Sequence, residues 1–168
     1  MLILADDSGL SLGEMTLRVG LSLALGGVIG ANRQLHRKPA GLRTMMLVCV
    51  GSCAAVLAGV CCRNLNGGGM SSADISRIIQ GIVGGIGFLG AGVIIHENMW
   101  AAGVTTAAAI WATAALGVGL GLGEYRLSAV VWVGVMLTLT LIGRIEYMLF
   151  KDKGQERQAE HTPPEAKP

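Results

Sequence analysis

Residues 80–95 read QGIVGGIGFLGAGVII, an apolar run in which Gly81, Gly84, Gly85, Gly87, Gly90 and Gly92 are set among Ile, Val, Leu and Phe. In water this run makes a poor helix, because each interior glycine costs about 1 kcal/mol relative to alanine. In a bilayer the backbone has to satisfy its own hydrogen bonds, so helix is forced, and glycine becomes a flat surface for a neighbouring helix. A step of about 100° per residue sorts the run into faces. Gly81, Gly84, Gly85, Phe88 and Gly92 share one side with Arg77 above them, and Gln80, Gly87, Gly90 and Ala91 lie beside it. Ile75, Ile78, Ile79, Ile82, Ile86, Leu89 and Val93 lie opposite. The expectation is a central helix with its bulky face toward lipid and its smooth faces packed against the other helices. Gly85→Leu should then disrupt folding far more than Ile86→Leu.

The rest of the chain agrees with a membrane setting. Hydrophobic residues make up 52% and charged residues 14% of the 168 residues, against about 25% charged in an ordinary soluble domain. Five apolar runs, 14–31, 44–62, 75–95, 104–122 and 127–143, are long enough to cross about 30 Å of hydrocarbon. This predicts an all-α membrane protein, a compact bundle of five transmembrane helices over residues 14–150. An outer segment (1–13) precedes it and a polar, disordered tail (151–168) follows. The first twelve residues carry Asp6 and Asp7 and no basic stretch, so no cleavable signal peptide is expected.

The connections are short, which makes neighbouring helices antiparallel. The first connection holds Arg33, Arg37, Lys38 and Arg43, and the positive-inside rule places it in the cytoplasm. The N-terminus is then outside, the C-terminus inside, and nine of the thirteen Lys and Arg are cytoplasmic. Trp100, in the third connection, reads as an interfacial anchor. The first helix repeats small residues every four positions (Ser22, Gly26, Gly30), as do the second (Gly51, Ala55, Gly59) and the fourth (Gly117, Gly121). The fifth is rich in Val and Leu and is expected at the periphery of a bundle gathered around the third.

Polar residues beside hydrocarbon are costly and mark candidate sites. On this topology they form two clusters. The cytoplasmic one is Asn32, Arg33, Arg43, Thr44, Thr105 and Thr106, with His96 at the same leaflet. The outer one is Glu14, Arg18, Asp74, Arg77 and Gln80. Glu14 and Arg18 stand in the favourable order for an ion pair four apart. The competing reading is that arginines snorkel to head groups and threonines bond back to their own helix. Arg77, on the glycine side of its helix, is expected to point into the bundle.

Other chemistry finds no support in the pattern. Cys49 and Cys53 share a helix face but lack further ligands, and read as small packing residues, so no metal site is expected. His36, His96 and His161 have no metal spacing. There is no GxxxxGK[ST] loop, so ATP binding through a P-loop is not expected, and no GxSxG nucleophile elbow occurs. No catalytic residue and no cofactor are expected.

The runs PAGLRT (39–44), GIVGGIGFLGAGVII (81–95) and GVTTAAAIWATAALG (103–117) resemble the MgtC/SapB family of bacterial inner-membrane proteins, in the same order and over roughly residues 14–145. The resemblance implies a five-helix membrane domain tied to magnesium uptake and growth in low magnesium, not itself an ATPase. Longer members add a soluble C-terminal domain, where this chain has only a short tail. Asn32 stands where the family usually has an acid before the arginine, and Met45 follows the AGLRT run. Two functions follow as expectations. One is a non-enzymatic accessory or regulatory protein of magnesium homeostasis, which acts on another membrane protein within the bilayer. The other is a direct transporter or channel for Mg2+ or another small solute. The small-residue faces also suit a homodimer, and the net charge of +2 gives no reason to expect nucleic acid.

Overall fold

The computed structural model describes residues 10–65, 72–97, 100–143 and 145, and the backbone alone at 62–65, 72, 95–97, 100–101 and 142. The remaining parts of the N-terminal segment, of the second connection and of the C-terminal tail lie outside the described residues, as does the side chain of Trp100. The chain is a helical bundle: α1 (Leu12–Leu35), α2 (Leu42–Leu65), α3 (Ser72–Val93), α4 (Val104–Leu122) and α5 (Tyr125–Leu137). The third connection forms a small hairpin. Strands β1 (Ile95–Glu97) and β2 (Trp100–Ala102) pair antiparallel, with His96 opposite Ala101. Among the described residues, four helices are long and apolar enough to cross a membrane. The fifth apolar helix, Tyr125–Leu141, is shorter.

Local chemistry sets the helix ends. Ser11 caps α1 by accepting the Glu14 N–H at 3.2 Å, and Glu14 itself lies in the positively polarised first turn. α4 is bounded by two glycines in the left-handed region, Gly103 (φ 88°) and Gly123 (φ 83°). A Cβ on Gly103 would also run into the backbone oxygen of Val93. Gly103→Ala is therefore expected to lower stability by about 1–3 kcal/mol, measurable as a lower unfolding midpoint of the detergent-solubilised protein.

The packing divides between Val135 and Met136. In the first unit, α1, α2 and α4 come closest together. Gly30 of α1 meets the backbone of Leu42, and Gly26 meets Cys49 and Met45, so α1 and α2 run antiparallel. Gly117 and Gly121 of α4 meet the backbone oxygens of Cys49 and Cys53, so α2 and α4 run parallel with almost no side chain between them. Cys49 and Cys53 are fully buried at this junction. In the second helix the packing residues are thus Met45, Cys49, Cys53 and Val56. The line Gly51, Ala55, Gly59 is not: Gly51 has nothing within 4 Å of its Cβ position.

The helix at the centre is α4, whose apolar stretch is 56% buried, against 11% for α3. This overturns the expectation that the bundle gathers around the third helix. The two faces of α3 were separated correctly but pointed the wrong way. Gly81, Gly84, Gly85, Gly87 and Gly92 have nothing within 4 Å of a modest added Cβ, and Phe88 is 82% exposed. Of the expected packing glycines only Gly90 is covered, by Ala107 at 3.6 Å. The isoleucine side faces inward instead: Ile79, Ile82, Val83 and Ile86 meet Trp111, Ala114, Ala115 and Val118 of α4 around a space of about 200 Å³. The reason is what α4 presents. Its glycines are already covered, Gly117 and Gly121 by α2 and Gly119 by Ser128, so toward α3 it offers side chains, and only side chains on α3 can reach them to gain dispersion contacts. The expected order of Gly85→Leu and Ile86→Leu is reversed accordingly.

α5 is peripheral, as its composition suggested. Only Ser128 is buried, opposite Gly119, and Trp132 donates its indole N–H to the Leu25 carbonyl at 3.2 Å. In the second unit the helix widens into a π-helical stretch, Thr138–Ile142, where the Thr140 hydroxyl bonds back to the Met136 carbonyl at 2.6 Å.

Candidate functional site: two buried arginines at the ends of α4

Arg18 and Arg33 are 7% and 3% exposed, although both project from a membrane-length helix. They lie four to five turns apart on α1, which runs antiparallel to α4, so each reaches a different end of that helix.

Arg18 meets the C-terminal end. Its Nη1 donates to the Gly121 carbonyl at 2.6 Å, and its Nη2 forms an ion pair with Glu14 one turn earlier. Gly121 belongs to the last turn of α4, whose carbonyls lack helical donors and carry partial negative charge. Gly123 leaves the space: a Cβ there would lie 2.8 Å from Arg18 Nη2. A cation, an unsatisfied carbonyl and a carboxylate thus meet there, and only Arg18 Nε is left buried without a partner.

Arg33 meets the N-terminal end. Its Nη2 donates to the Thr106 hydroxyl and, at 3.4 Å, to the Pro39 carbonyl. Its Nε is buried without a partner. Among the described residues no carboxylate pairs with it. Thr106 is in the first turn of α4, where the first helical N–H bond runs from Ala107 to Gly103. The N–H groups of 104–106 have no acceptor inside the helix, and Gly103 supplies no capping side chain. Here the positive side chain faces the positive end of the helix.

The two expected polar clusters are therefore each reduced to a pair. In the first, Arg33 and Thr106 are brought together. Asn32 is half-buried nearby in sequence, Arg43 and Thr105 are exposed, and Thr44 lines a separate groove. The His96 side chain lies outside the described residues. In the outer group, Glu14 and Arg18 are joined. Asp74, Arg77 and Gln80 are exposed on α3, which packs on α4 and α2 rather than on α1. Arg77 thus points away from the bundle, a correction with the same cause as the reversed glycine face. The groove beside Thr44 runs between α2 and α3, measures about 420 Å³, and is lined by Leu47, Ser52, Ile82, Gly85, Ile86 and Leu89. The acceptors at Gly121 and Pro39 are backbone carbonyls, and residue type gives no sign of them. The signal for Arg33 was only that no acid neighbours it.

A family model described as the MgtC family matches residues 19–148. SrpB of Synechococcus elongatus is 35% identical, covering 90% of this chain and 90% of its own length. MgtC of Salmonella typhimurium is 42% identical over 62% of this chain, but this chain spans only 42% of that protein. YhiD of Escherichia coli, described provisionally as a magnesium transporter, is 36% identical over 81% of this chain and 64% of its own length. No solved structure matches the chain.

Proposed function

The chain belongs to the MgtC family, and on that premise we propose that it is a multi-pass protein of the bacterial inner membrane that serves Mg2+ homeostasis as a non-enzymatic accessory or regulator, without conducting the ion itself. The observation that carries this reading is the charge of the interior. Among the described residues, the buried polar groups are Arg18 and Arg33 together with hydroxyls of Ser22, Ser52, Thr106, Thr113 and Ser128. A divalent cation needs carboxylate oxygens or retained water along its route, and two guanidinium groups at opposite ends of α4 repel it. Backbone contact between α2 and α4 leaves no room there for a hydrated ion. The basic first connection supports a cytoplasmic Arg33 end, with the N-terminus outside. An accessory role calls for a membrane partner, and a second copy of the chain is one such partner.

The description of YhiD favours a second reading, direct transport of Mg2+ or another small solute. Two measurements separate them. Liposomes holding only the purified, folded chain are expected to take up Mg2+ no faster than empty ones. Expression is expected to restore growth in low magnesium to a bacterial strain lacking its own family member. Saturable Mg2+ uptake by the liposomes would overturn the accessory reading, and failure to restore growth would overturn the tie to magnesium.

A further inference from the structure

Helix α4 has a buried arginine at each end, and the two ends are not equivalent. At the C-terminal end Arg18 is answered by the Gly121 carbonyl, by the helix dipole and by Glu14. At the N-terminal end Arg33 has, among the described residues, none of these. Its bonds go to one hydroxyl and one carbonyl, its Nε, like that of Arg18, is buried without a partner, and the dipole of α4 opposes its charge. α2 begins at the same place, so the positive ends of two helices converge there: Pro39, three residues before α2, accepts from Arg33, and Gly30 packs on Leu42. Residues 32–43 add Arg37, Lys38 and Arg43 and contain no Asp or Glu; the residues flanking Arg33 are the amides Asn32 and Gln34. A buried guanidinium without a counter-charge is strongly unfavourable, and most buried polar groups find a partner.

The geometry points to an oxyanion-binding site formed by Arg33 and the first turn of α4, which takes a phosphate group. Arginine offers a planar fork of donors suited to phosphate oxygens, and a helix N-terminus offers free N–H groups. The Thr106 hydroxyl, already bonded to Arg33, sits where the two meet. The turn reaches the surface at Val104 and Thr105, both exposed, so a phosphate group has access from that side. The phosphate comes either from the headgroup of an anionic lipid in the same leaflet or from free phosphate in solution. This site is independent of the function proposed above, since it requires neither Mg2+ nor a partner protein.

The test uses the full chain, delipidated in a maltoside detergent that contains no phosphorus, with thermal unfolding as readout at constant ionic strength. Phosphatidylglycerol or inorganic phosphate, replacing chloride, is expected to raise the unfolding midpoint by about 5 °C. A response to the lipid alone identifies a headgroup, and a response to inorganic phosphate identifies the free anion. Arg33→Gln is expected to abolish the shift and, without either ligand, to unfold no lower than the wild type, because it removes an uncompensated charge. Arg33→Lys, which keeps the charge but not the fork, is expected to retain less than half of the shift. Arg37→Gln combined with Lys38→Gln is expected to retain it. The proposal is overturned if the wild type responds to neither ligand, if Arg33→Gln responds as the wild type does, or if the loss occurs in the Arg37 and Lys38 variant instead. Should Arg33→Gln fail to fold, the wild-type titration and Arg33→Lys still decide.

Discussion

Replacing Gly117 by leucine is expected to leave almost no folded protein. Gly117 sits where α4 touches the backbone of α2: even a single Cβ would overlap the Cys49 carbonyl oxygen and approach the Ser52 Cβ to 2.9 Å. Backbone cannot turn aside as a side chain does, so the two helices would have to separate. Gly121, one turn on, holds the same contact against Val56 and Cys53. Overfilling a packed site costs about 1–3 kcal/mol for small additions, and a leucine here adds four carbons at the most buried junction of the bundle. The comparison that makes this informative is Gly85→Leu. That glycine has nothing within 4 Å and borders the open groove between α2 and α3, so the variant is expected to fold within about 0.5 kcal/mol of the parent. The monodisperse yield after detergent extraction and the unfolding midpoint measure both. Equal yields, or a lower yield for Gly85→Leu, would contradict the placement of α4 at the centre.

The second large effect concerns Arg18. Arg18→Leu removes the donor to the Gly121 carbonyl and the partner of Glu14. Glu14 is 39% exposed and remains solvated, so most of the loss falls on the end of α4, whose carbonyl is left without its donor in a buried place. The expected cost is about 2–3 kcal/mol, roughly 5–10 °C in the unfolding midpoint for a chain of this size. Arg18→Lys keeps the charge beside the helix end and is expected to recover part of it. The contrast with Arg33 is the sharper check: both side chains are buried arginines on α1, yet without a bound anion only the loss of Arg18 should destabilise. If Arg18→Leu were as stable as the parent, the account of that helix end would be wrong.

Much of the architecture was legible from residue pattern. Run length and lack of charge gave the spans, because hydrocarbon thickness dictates how many apolar residues a helix needs. The four-residue spacing of Ser22, Gly26 and Gly30 marked the side of α1 that meets α2, and Gly117 and Gly121 marked the side of α4 that meets it. The Glu14–Arg18 pair followed from a one-turn separation. Where the reading failed, it failed on a sign. The pattern divided α3 into a glycine face and an isoleucine face, but both are apolar, and hydrophobicity alone cannot say which one meets protein when lipid is equally apolar. The density of glycine suggested the answer, and it was the wrong one, because a bare face gains from contact only where a partner's backbone can reach it.

By itself, then, the sequence determined that this is a membrane bundle, where its helices lie and which of its arginines are flanked by acids, since each of these depends on neighbours along the chain. Which helix is central, which side of α3 is covered, and that Arg18 and Arg33 reach opposite ends of α4 were decided only in three dimensions. These rest on contacts between residues far apart in the chain, such as Arg18 with the Gly121 carbonyl 103 positions away, and a backbone oxygen at the end of a helix leaves no trace in residue type.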